Sequence, residues 1–194
     1  MPLTYSRPDK LAHADTVLYE IDMLRFATGR LVESKWREPR DAWVYLESFL
    51  IHYRNLIEFL GKEKPRLDDL HVTTIWQVAK LAPPVALKEI HAKGVQLWKE
   101  YEPTDAQGGA RISQYLQHCT TKRIQFKDWR IDTMTEQMEP LLAEVEKHLR
   151  SGKQILEPVK AVKVQGPFSA STATVTITAS AAMDLDGSLK KWTP

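Results

Sequence analysis

His52, Arg54 and Asn55 sit close together in WVYLESFLIHYRNLIEFL, residues 43–60, where most neighbours are apolar. An imidazole moves protons near neutral pH, and a guanidinium holds phosphate or carboxylate through a planar fork of donors. In one cleft, Arg54 would bind or stabilise phosphate charge, His52 would carry a proton, and Asn55 would add hydrogen bonds. The same spacing has a plainer explanation. Arg54 and Glu58 stand at i, i+4 and can form a helix-surface ion pair, while His52 and Asn55 satisfy one another or a loop carbonyl.

A second group lies further on. Arg111, Gln114 and His118 share a ridge of one helix and are followed by Thr120, Thr121, Lys122 and Arg123. Basic and hydroxyl groups at a helix end either hold an anion or cap carbonyls and solvate the turn. The candidate catalytic residues are therefore His52, Arg54 and His118, and the candidate binding residues are Asn55, Arg111 and Arg123. They form one site only if the helix of His118 faces Arg54 across a bundle.

Other chemistry lacks its residues. His13, His71, His91 and His148 show no HExxH or other metal-ligand spacing, and the single Cys119 cannot build a thiolate zinc site. Cys119 falls on an apolar helix face, where thiols are usually inert. No phosphate-cradling glycine loop and no GxSxG elbow occurs. The expectation is no cofactor and no metal.

The elements that must position these residues follow from periodicity. Trp43, Leu46, Leu50, Tyr53, Ile57 and Leu60 recur at steps of three and four, with Phe49 and Leu56 widening the stripe, so residues 43–60 read as a central helix with a broad buried face. Leu11 to Val32 form another stripe behind Asp9, and Pro39 suits a short turn between antiparallel neighbours. A short helix is expected over Thr74–Leu81, then one carrying Leu87, Ile90, Gly94, Leu97, Trp98 and Tyr101, and then one from Ala110 with Ile112, Tyr115, Leu116 and Cys119 on its apolar face. The last starts near Asp128 and carries Ile131, Met134, Met138, Leu142, Val145 and Leu149; Pro140 should kink or split it.

Beyond Gly152 the character changes. Between Ser169 and Ala182 every residue is Ala, Ser or Thr except Val175 and Ile177. The fold expected is an all-α bundle of about five or six helices over residues 1–150, with a short extended or disordered C-terminal segment over 151–194.

Composition narrows the function classes. With 43% hydrophobic and 27% charged residues the chain is an ordinary soluble domain in kind, and one cysteine excludes an intrachain disulfide framework. No apolar run approaches the roughly 18 residues that span a bilayer, and the start MPLTYSRPDK lacks a signal-peptide core, so a cytoplasmic protein without membrane partners is expected. Five of the 27 basic and three of the 25 acidic residues fall in 151–194, so 22 of each remain before it. A neutral body lacks the footprint of a protein that grips long duplexes, which leaves room only for a local basic pocket.

YEIDMLRF on the first helix, LESFLIHYRNLIEFL on the second and ISQYLQHCTTKRIQFKDW further on together resemble a group of bacterial helical proteins related in pattern to the HEPN class, over roughly residues 15–150. That resemblance implies a helical bundle, a role in defence or toxin–antitoxin systems, RNA or nucleotide as ligand, metal-independent ribonuclease activity, and a homodimer that brings two motifs together. The motif is an Arg, usually followed by a polar residue, then a His a few positions on. Arg54-Asn55 matches its first half, but the fifth position after Arg54 holds Phe59. Cleavage would then need His52 or His118 as proton carrier. The alternative is a non-catalytic helical protein-interaction module, in which the polar residues specify packing and an exposed face binds a partner. Convergence of His52, Arg54 and His118 on one cleft would favour the first, and dispersal the second.

Overall fold

The computed structural model describes residues 7–33, 38–79, 81–103, 111–117 and 129–156. Among them the chain is an all-α bundle of six helices: α1 (Arg7–Glu33), α2 (Pro39–Gly61), α3 (Ile75–Ala79), α4 (Leu87–Tyr101), α5 (Ile112–Gln117) and α6 (Ile131–Leu156). The chain divides into a unit over Met1–Lys160 and another over Ala161–Pro194. The second unit lies outside the described residues, and so does the expected C-terminal extended or disordered segment apart from residues 151–156, which continue the last helix. His118, Arg123 and Cys119 also lie outside the described residues.

Periodic apolar faces build the core. Val17, Leu18, Ile21, Leu24 and Ala27 of α1 are buried, as are Phe49, Leu50, Tyr53, Leu56, Ile57 and Leu60 of α2. The two helices run antiparallel: Glu20 reaches Asn55, and Phe26 meets Tyr45 edge to face at 6.2 Å, so partner numbers fall as α1 advances. On its other side α2 packs against α4, which buries Ile90, Gly94, Leu97 and Tyr101. Helix α6 lays Met134, Met138, Leu142, Val145 and Leu149 into the core. Each such side chain withdrawn from water is worth about 1.5–3 kcal/mol.

The α2–α4 crossing is close enough to exclude a methyl group. A Cβ on Gly61 would stand 2.0 Å from the carbonyl carbon and oxygen of Gly94. Beyond it, residues 62–74 fold back over the C-terminal end of α2 and supply donors that the helix itself lacks. Lys62 N–H donates to Glu58 O (3.2 Å) and Val72 N–H to Phe59 O (2.9 Å), while from α4 His91 Nδ1 donates to Leu60 O (2.9 Å).

Three helix expectations change. Helix α2 begins earlier than residue 43: Pro39 starts the helix instead of breaking the chain, because its fixed φ suits the first turn and its missing N–H is not needed there. Trp43, expected on the buried stripe, is 55% exposed, since the first turns of α2 extend past the end of α4, which packs against its later part. Helix α6 is continuous through Pro140, where a kink or division was expected, and reaches Leu156, past residue 150. The ring of Pro140 sits on the solvent side, away from the packed stripe.

Candidate functional site

Two residues apart on a helix means about 200° of rotation, and this separates the two groups expected to cooperate. His52 and Asn55, at i and i+3, face α1; Arg54 faces α4.

On the α1 flank, His52 Nδ1 lies 2.8 Å from Glu20 Oε2, and Asn55 Nδ2 donates to the same oxygen at 3.1 Å. His52 is only 8% exposed, and Tyr19 packs its ring edgewise against the imidazole with centroids 5.8 Å apart. The two groups thus satisfy neither one another nor a loop carbonyl: a single carboxylate on the neighbouring helix serves both. The contact orients the imidazole and fixes the register of α1 on α2.

On the α4 flank, Arg54 Nη1 pairs with Glu58 at 3.1 Å, the i, i+4 pair that spacing suggests, and Arg54 Nε lies 3.7 Å from Glu102 just past α4. The Glu102 side chain is 6% exposed. Its carboxylate accepts from the Ser113 backbone N–H and from the Ser113 hydroxyl, both at 2.6 Å, in the first turn of α5. Arg54 therefore ties α2 to the junction of α4 and α5, and its charge is balanced by two carboxylates. Arg111 stands partly buried just before α5, where its carbonyl accepts from Tyr115 N–H at 3.2 Å.

Between the start of the bundle and the 62–74 segment lies a cleft of about 300 Å³. Val17, Leu56, Phe59 and Leu70 supply its apolar lining; Glu20, Asn55, Glu58, Asp68 and Asp69 supply its polar groups. Lys62 bridges two of the acids, bonding Glu58 and, at 2.8 Å, Asp69, whose carboxylate also accepts from Arg66 N–H at 2.7 Å. Among the described residues no cation pairs with Asp68, and Glu20 bonds His52 and Asn55, so the cleft keeps an acidic character at these two carboxylates.

The structure thus brings His52 together with Asn55 and Arg54 together with the α5 segment that Arg111 precedes, and it keeps these two pairs on opposite flanks of α2. Phe59, at the position where the HEPN motif has His, is buried and lines the cleft. Glu20, Glu102, Asp68 and Asp69 carry much of the site's charge and were not singled out from sequence. Within-helix spacing finds Glu58 as a partner of Arg54, but it has no means of finding a partner on another helix.

Among the described residues no group of three or more His, Cys, Asp or Glu could hold a metal ion, and no helix is long and apolar enough to cross a membrane. No protein-family model, no curated protein and no solved structure matches the chain.

Proposed function

We propose that this chain is a non-catalytic helical module that binds a protein partner through the outward face of α2. One observation carries the reading: Val44 is 62% and Ile51 44% exposed along that face, with Trp43 55% exposed about a quarter turn away at the start of the helix and Tyr19 of α1 51% exposed beside His52. Large apolar side chains grouped on one surface mark interaction sites more often than scattered ones do, and aromatic residues are favoured as interface anchors. The polar residues support the same reading. His52, Asn55 and Arg54 are engaged in contacts between helices, and their nearest partners are carboxylates, which repel a phosphate backbone.

The test uses a photocrosslinking amino acid at position 51 in the full chain, with position 144 on α6 as control. A protein captured at 51 and not at 144 is identified, purified and titrated against the wild type and a Val44→Glu/Ile51→Glu variant. At exposed positions these changes leave stability within about 0.5 kcal/mol, so lost binding reports the surface. At least tenfold weaker binding supports the proposal; capture of a second copy would make the surface a homodimer face, read by sedimentation. Chelator-resistant RNA cleavage by the wild type, lost in a folded Arg54→Ala variant, would overturn it in favour of the nuclease reading.

A further inference from the structure

Along α2 the residues Val44, Ile51, Asn55 and Glu58 are spaced by seven, four and three, so they follow one line on the helix surface. The first two are exposed apolar side chains; the last two line the acid-rimmed cleft. The apolar surface therefore leads directly into a recess where, among the described residues, neither Glu20 nor Asp68 is paired with a Lys or Arg. From this continuity we infer that the partner segment is amphipathic and basic: an apolar stripe that covers Val44, Ile51 and Tyr19, followed by a Lys or Arg side chain that enters the cleft. The inference builds on the interaction reading and names the chemistry of its partner.

The complementarity has two parts. A long basic side chain has an aliphatic stem and a cationic head, and the cleft offers Val17, Leu56, Phe59 and Leu70 to the stem and carboxylates to the head. Arg54 and Lys62 do not fill this role themselves, because Arg54 is held by Glu58 and Glu102, and Lys62 by Glu58 and Asp69. The spacing is also set. From Ile51 to Asn55 and Glu58 is four to seven residues of helix, roughly 6–10 Å, so a helical partner carries its basic residue one to two turns beyond its apolar anchor.

The experiment titrates the full chain with synthetic amphipathic helical peptides that share one leucine stripe and differ in one residue placed one to two turns beyond it: Lys, norleucine or Glu, at either end. Binding is followed by fluorescence anisotropy, and the surface by amide chemical shifts. The expected result is a preference for Lys over Glu of about tenfold or more, weakened by added salt, with shifts at Val44, Ile51 and Asn55. Asp68→Asn, on an exposed residue with no ion pair to lose, should reduce the preference, and Glu20→Gln should reduce it further if that variant keeps its helical spectrum. Equal binding of the three peptides with shifts at Val44 and Ile51 would overturn the basic-partner inference and leave the interaction surface standing. If no peptide moves those amides and position 51 also captures no protein, both fail.

Discussion

Glu20 is the residue on which the α1–α2 contact turns. One of its oxygens accepts from both His52 and Asn55, so Glu20→Gln leaves an oxygen within reach but removes the charge that strengthens both bonds. Glu20→Gln should cost about 1–3 kcal/mol, seen as a lower urea midpoint with an unchanged slope. His71 gives a prediction in pH. It is 3% exposed, its Nδ1 lies 2.7 Å from the Thr73 hydroxyl, and its ring packs edgewise on His91 with centroids 5.2 Å apart. Burial, with His91 beside it, holds His71 below the ordinary imidazole value of 6.5; the nearby charges are Asp69 and Lys62. The unfolded chain therefore takes up this proton before the folded one does. The contribution is fully present above about pH 6.5 and is lost as pH falls from there toward the lower folded value. Unfolding midpoints measured down to about pH 5 should decline, and His71→Gln should flatten that decline. Sequence could not reveal either role, because both depend on partners that only the tertiary fold brings close.

At the scale of elements, three glycines make a contrast. Gly61 and Gly94 form the α2–α4 crossing, and a Cβ on Gly94 would sit 2.7 Å from the backbone of Leu60. Gly61→Ala and Gly94→Ala should each destabilise by about 1–3 kcal/mol or more, since backbone rather than a flexible side-chain tip must yield. Gly29 in α1 has nothing within 4 Å of such a Cβ, so Gly29→Ala should instead stabilise, by about 0.5–1 kcal/mol, through helix propensity alone. Thermal melts of the three variants test the contrast in sign. The helices themselves were legible, because burial on one side writes a three-to-four periodicity into Ile21, Leu24, Phe49, Tyr53, Ile57 and Leu60. Trp43 shows the limit of that signal. It keeps the rhythm of the stripe at the end of α2 that α4 does not reach.

Across the whole molecule, α1 makes two unlike seams. Toward α2 it offers the half-buried Glu20 network among apolar residues. Toward α6 it offers Arg25, bonded to Glu139 and Glu146, and Asp22, 3.5 Å from Arg150. The second seam is the wetter one, with Arg25 35% and Glu139 41% exposed. Salt at about 1 M shortens the screening length to roughly 3 Å, so the stability lost in Arg25→Ala should shrink at high salt, while the loss in Glu20→Gln should change little. Denaturant curves at low and high salt distinguish the seams.

The glycine crossing also bears on how fast a partner can bind. With α2 backed against α4 at Gly61 and Gly94, backbone meets backbone and the helix that carries Val44 and Ile51 has little room to slide. If this surface binds a partner as proposed, association should proceed in one step, with an observed rate that rises linearly with partner concentration and shows no plateau.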